Sequence, residues 1–125
     1  MPKIEPGPAL DALVVEEIFG WRRSNSPIAL YIDSRGELMD PPPLSTDPGE
    51  ALRLLVEENE YRQAHHNLPL SLFTQYRDGC TEWCCAIQFP LPYQQGAWSP
   101  TPALAICLGI LRSRGVDLVL RQVSA

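Results

Sequence analysis

Apolar residues recur at helical spacing in three stretches of the chain, each with its own start or stop signal: Pro8 to Arg23, Pro42 to Glu58 and Ser99 to Gly115. In the first, Leu10, Leu13, Val14 and Ile18 fall on one stripe, with Asp11, Glu16 and Glu17 predicted to face away. Pro8 suits a first helical turn, Gly20 is placed to end the helix, and Trp21 is expected to close the core beside it. In the second, Asp47 reads as the N-cap, Pro48 as the first helical residue and Glu50 as the capping-box partner. Leu52, Leu55 and Val56 form its predicted inner face, with Glu57, Glu58 and Glu60 outward, and Asn67 and Pro69 break the pattern. In the third, Thr101 caps and Pro102 opens the helix, although Ser99-Pro100 offers the same geometry earlier. Its main stripe is Leu104, Cys107, Leu108 and Leu111, yet Ala103, Ile106 and Ile110 are apolar too. Such a helix is buried deeply or meets a partner. Gly115 ends it, after Arg112 and Arg114, whose charges suit a helix C-terminus.

Between the helices the period falls to two. Ile28 to Ile32 reads as a short strand, Asp33-Ser34-Arg35-Gly36 as a turn and Glu37 to Met39 as its return. Leu70 to Tyr76 and Thr81 to Phe89 flank Arg77-Asp78-Gly79-Cys80, a hairpin signal because Asp-Gly accepts positive φ values. Trp83, Cys85, Ile87 and Phe89 alternate onto one face, with Cys84, Ala86 and Gln88 on the other, and both faces look covered. Pro90 to Trp98 is a loop, and Val116 to Val123 is a candidate last strand. The predicted class is α/β in the α+β sense: one small sheet with a β-hairpin, sandwiched by helices, in the order α-β-β-α-β-β-α with a terminal strand. Residues 1–125 are expected to form one domain, with 1–7 as a tail and 116–125 as the terminal strand.

Composition changes this picture little. Hydrophobic content of 45% and charged content of 20% are ordinary for a globular chain, and the thirteen prolines cluster where elements end. The net charge of −5 argues against nucleic acid as a partner. It is unevenly spread, with twelve acidic and five basic side chains in residues 1–60 but three and five in residues 61–125. Arg112, Arg114 and Arg121 are a candidate local anion patch. No stretch is long and apolar enough to span a bilayer, and the start lacks a basic region followed by an apolar run, so neither membrane insertion nor export is expected. Cys80, Cys84, Cys85 and Cys107 then read as reduced thiols, mostly buried.

Candidate chemistry is sparse. Ser45, Thr46 and Asp47 at a helix start either hold an anion or satisfy the free amides themselves, and the second reading is preferred. Thr101 has the same two readings without a neighbouring acid. His65 and His66 with Cys80, Cys84 and Cys85 contain zinc-type ligands, but adjacent strand residues point to opposite faces and no paired CxxC occurs. No metal or cofactor is therefore expected. No cysteine is poised as a nucleophile, the two histidines have no nucleophile motif beside them, and neither GxGxxG nor a P-loop occurs, so no catalytic residue is assigned. The candidate ligand contacts are Trp98, Tyr93 and Thr101 around the third helix start, with Arg22 and Arg23. Aromatic rings beside amides and a guanidinium suit a nucleotide-like ligand. The competing reading packs Trp98 onto the core.

LDALVVEEIFGWRR, LSTDPGEALRLLVEE and TPALAICLGILRSRG together resemble the phage ABA-sandwich domain family. Its members share an LDxLVAE-type helix running into Gly-Trp, a YSTD-type helix start and a TxxLAIC-type final helix, matching Leu10 to Trp21, Ser45 to Asp47 and Thr101 to Cys107. Leu44 departs from the aromatic usual before Ser-Thr-Asp, and the extension after Gly115 is longer than expected. The resemblance implies an α/β sandwich and an accessory role for a phage or prophage in the cytoplasm of a bacterial host, and it implies no reaction. Two expectations follow. One is a non-enzymatic module that binds a host or phage protein, through the outer flank of the third helix or the acidic first two helices. The other is a homo-oligomeric binder that sequesters a nucleotide signal of host defence.

Overall fold

Each predicted helix is present, and each begins at a proline. The computed structural model describes residues 5–25, 27, 30–87 and 98–116, and within them α1 spans Pro8–Glu17, α2 Pro48–Ala64 and α3 Pro102–Ser113. Proline fits these starts because its fixed φ is helical and the N–H it lacks would have had no partner there. The strands form two separate antiparallel sheets rather than the single sheet expected. β1 (Arg22–Arg23), β2 (Tyr31–Ile32) and β3 (Leu38–Met39) make a small three-stranded sheet, and β4 (Leu70–Arg77) pairs with β5 (Cys80–Ile87). The fold is mixed α+β. The predicted order holds apart from β1, which the sequence pattern missed.

The helix ends explain much of the local structure. Gly20 adopts φ +70, and Trp21 donates its N–H to Val15 O at 3.0 Å, so the chain leaves α1 and Arg22–Arg23 become a strand. Asp47 Oδ1 accepts from Gly49 N at 2.9 Å and Glu50 N at 3.3 Å, as an N-cap should. The return half of the expected capping box is not seen. Asp47 N donates to Pro43 O instead, and Glu50 turns toward Arg53. Thr101 Oγ1 accepts from Leu104 N at 3.3 Å, whereas Ser99 is bridged to β5, which settles the start of α3 in favour of Thr101. At its end Gly115 N bonds Arg112 O and Val116 N bonds Leu111 O, around Gly115 at φ +81. That paired closure satisfies carbonyls the helix would leave free.

The core is centred on α3. Every residue from Ala103 to Leu111 is buried, with β5 on one side and α2 and α1 on others. Its apolar character all round is thereby explained by its own chain, and the outer flank expected to meet a partner is not exposed. Packing against β5 is close enough to need Gly109, because a Cβ there would lie 2.7 Å from Cys85 Cβ and closer still to the Cys85 carbonyl oxygen. Leu10, Val14 and Val15 bring α1 to this core, and Ala51, Leu54 and Leu55 bring α2.

Two predicted helix faces need correction. On α2 the buried stripe is Ala51, Leu54, Leu55, Glu58 and Arg62, so Leu52 and Val56 face outward and Glu58 inward. On α1, Asp11 is buried rather than outward, accepting from Ser45 N at 2.7 Å. Ser45 in turn accepts from Gly7 N at 2.8 Å, and this polar clasp ties the start of α1 to the turn before α2. Hydrogen bonding pays for both burials, since a carboxylate taken out of water needs partners.

The hairpins follow their turn chemistry. Asp78 (φ +51) and Gly79 (φ +79) form the two-residue turn of β4–β5, with Arg77 paired to Cys80. Asp33 Oδ1 accepts from Arg35 N and Glu37 N, both at 2.9 Å, and closes the β2–β3 turn. The expected strand at residues 28–32 is observed at Tyr31–Ile32, with residues 28 and 29 outside the described set. Gln88, Phe89, the loop to residue 97 and the candidate strand from residue 117 onward also lie outside the described residues.

Candidate functional site

Among the described residues expected to gather around the start of α3, Thr101 and Arg23 are engaged with other groups. Thr101 spends its oxygen on the helix it caps. Trp98 is half-buried, and the next residue, Ser99, is fixed to Trp83 by two main-chain bonds of 2.8 and 2.7 Å. Arg22 and Arg23 stand on β1 opposite Ile32 and Tyr31, and Arg23 Nε is held by Glu16 at 3.2 Å. The Glu16 carboxylate raises the Arg23 pKa through that hydrogen bond and its charge. Among the described residues no hydrogen bond, ion pair or ring contact joins either arginine to Trp98 or Thr101. Tyr93 lies outside the described residues. Of the anticipated arginine patch, Arg112 is exposed and Arg114 is paired with Glu58 on α2, while Arg121 lies outside the described residues.

The thiols and histidines have their own places. Cys85 and Cys107 are core residues whose pKa values are pushed up to about 12, chiefly by burial. Burial also raises Cys84, against a smaller lowering by Arg112. Thiols held protonated at neutral pH are poor nucleophiles and poor metal ligands. Cys80 is exposed at the hairpin turn. His65 Nδ1 lies 2.8 Å from Tyr61 O, and His66 closes α2 at φ +59. Among the described residues no three His, Cys, Asp or Glu side chains stand together as a metal site, and no helix is long and apolar enough to cross a membrane.

What the structure does assemble is a buried ion cluster between the C-terminal ends of α2 and α3. The Glu58 side chain is 1% exposed and receives Arg114 in a two-pronged contact, Nε to Oε2 at 3.0 Å and Nη2 to Oε1 at 2.6 Å. Arg62 Nη1 lies 3.6 Å from Glu58 Oε2, while its Nε donates to Leu68 O at 2.6 Å. The Arg114 guanidinium stacks 4.1 Å over the Tyr61 ring, which meets His65 at 4.2 Å. One carboxylate thus satisfies two guanidinium groups, and the cluster fixes α2 and the turn after it. Sequence spacing offered one signal for it, the i,i+4 relation of Glu58 and Arg62. Nothing local in the sequence pointed to Arg114.

Fixing α2 from behind leaves its outer face displayed. Leu52 (50% exposed) and Val56 (57% exposed) stand one helical turn apart among Arg53, Glu57 and Glu60. Val56 leads into an open groove of about 610 Å³ lined by Asn59, Glu60, Gln63, His66, Asn67 and Pro69. At the groove's base the Asn59 side chain grips strand β4, accepting from Leu70 N at 2.8 Å and donating to Leu70 O at 3.0 Å. On this face of α2 the exposed apolar groups Leu52 and Val56 thus stand beside a groove lined mainly by amide and acidic side chains.

Comparison with family profiles, curated proteins and solved structures finds no match for this chain.

Proposed function

We propose that this chain is a phage or prophage accessory protein that acts in a bacterial host by binding another protein, without catalysis, through the outer face of α2. The observation carrying this reading is the solvent-facing pair Leu52 and Val56, continuous with the groove beside Asn59 and Gln63. Both side chains lie on a helix whose inner face is already filled, so the core does not need them. The phage assignment rests on the three sequence blocks that resemble the ABA-sandwich family. Acidic neighbours Glu57 and Glu60 favour a partner with an apolar contact rimmed by basic groups, and such a rim makes association sensitive to salt.

The nucleotide-sequestering alternative draws no support from a described contact, because Thr101 and Arg23 are both engaged elsewhere. One experiment addresses both readings. The tagged chain and its Leu52→Ser/Val56→Ser variant are used to capture proteins from a bacterial host lysate, alongside a melting-temperature screen with signalling nucleotides. A protein retained by the wild type and lost by the variant, in a salt-sensitive way, is the expected result. Equal retention by both would remove α2 as the surface. A nucleotide that raises the melting temperature while no protein is retained would replace the reading altogether.

A further inference from the structure

Among the described residues β4 pairs with β5 alone, and two separate contacts show where its remaining main-chain groups point. On β5, Trp83 sends both its N–H and its C=O away from β4, to Ser99. Thr74 is the residue opposite Trp83, so its own N–H and C=O point away from the hairpin on the other side. Leu70 gives the same answer, since its N–H and C=O are taken by the Asn59 side chain from α2 rather than by β5. Alternation by two then directs the groups of Leu72, Thr74 and Tyr76 outward. Among the described residues no main chain pairs with these three on that side. The far edge of β5 is different, being covered by Ser99 and by α3 at Gly109.

We infer that this row is a pairing edge, and that its occupant is the same row of a second copy of this chain, joined about a two-fold axis at Thr74. The row has two stops. Asn59 closes it at Leu70, and the Asp78-Gly79 turn closes it after Arg77. Three residues without a main-chain partner among the described residues remain, with Thr74 at their midpoint, so the antiparallel register that pairs all three sets Thr74 against its equivalent and Leu72 against Tyr76 of the partner subunit. Each such pair exchanges two main-chain hydrogen bonds. Tyr76 is 78% exposed in the single chain, and in this register its ring covers Leu72 across the axis. Charge permits the match as well. Leu72 to Tyr76 carries no charged side chain, and Arg77 falls opposite the partner's Ser71. A closed two-fold contact also removes the hazard of an open edge. This inference is independent of the α2 surface.

The test is the mass of the full chain in solution over a wide concentration range, by sedimentation or light scattering, for the wild type and three Thr74 variants. Thr74→Pro removes an outward N–H that β5 does not use, so the hairpin is expected to survive while pairing is lost. Thr74→Lys and Thr74→Asp each place like charges face to face at the axis and should weaken the dimer about tenfold or more. Mixing the Lys and Asp variants should restore it. Where Thr74→Pro changes the circular dichroism, the two charge variants decide. A wild type that stays monomeric overturns the inference, as does a dimer indifferent to the charge variants, or a Lys/Asp mixture that fails to associate.

Discussion

Glu58 is the residue on which the display of α2 depends. Its carboxylate is almost wholly out of water, and its cost of burial is met by Arg114 and Arg62 together. Removing the negative charge would leave two guanidinium groups facing each other, one of them nine-tenths buried. Breaking a buried pair from one side costs about 3–5 kcal/mol, whereas losing an exposed ion pair costs little. Glu58→Gln is therefore expected to destabilise the chain by roughly 3 kcal/mol. Arg114→Gln, at a position about a quarter exposed, should cost less because solvent screens it. Urea denaturation of both variants checks the order. A Glu58→Gln loss no larger than that of Glu50→Gln, whose partner Arg53 is exposed, would show that the cluster does not brace α2.

At the scale of elements, the contact between α3 and β5 turns on one missing side chain. Glycine inside a helix ordinarily costs about 1 kcal/mol relative to alanine, so Gly109→Ala on an isolated helix would stabilise it. Here the new methyl would enter the space of the Cys85 main chain, and the strand cannot step aside without breaking its pairing with β4. Gly109→Ala should instead destabilise by about 2 kcal/mol or more, in the range of overpacked cores. A rise in melting temperature would refute the close approach. Gly109 also marks where sequence reading stops. The caps Asp47, Thr101, Gly20 and Gly115 and the Asp78-Gly79 turn were legible because their chemistry acts on the backbone within a few residues. The inner face of α2 was not, because Leu52 and Val56 are as apolar as Leu54 and Leu55, and only the position of α3 chooses between them. The edge strand Arg22–Arg23 was hidden for a similar reason, since its pairing is set by Tyr31 and Ile32. For the candidate site the same limit applied. Aromatic and basic residues near one helix start looked convergent in sequence, but Arg22 and Arg23 were carried to another sheet.

For the whole molecule, the buried thiols make stability fall on the alkaline side. Cys85 and Cys107 are raised from the ordinary 9.0 to about 12 in the folded chain, mainly because burial disfavours the thiolate, with nearby Glu58 and Asp11 adding in the same direction. The unfolded chain releases these protons near pH 9 and the folded chain holds them to about 12. Between those values the unfolded state therefore binds fewer protons, and each unit of pH favours unfolding. The stabilisation is fully present below pH 9 and is lost as pH rises through the folded values, by about 1.4 kcal/mol per unit for each thiol. Burial of Tyr31, which raises its pKa too, adds to the slope at the upper end. Urea midpoints measured from pH 7 to pH 10.5 under reducing conditions should be flat at first and then fall. Cys107→Ala should lower stability at pH 7 through the small space it leaves, yet reduce the steepness of the alkaline decline. Those two effects have opposite sense above pH 9, so the curves for wild type and variant should converge. Curves that stay parallel would show that Cys107 reaches water, and α3 would then not be the enclosed centre of the fold.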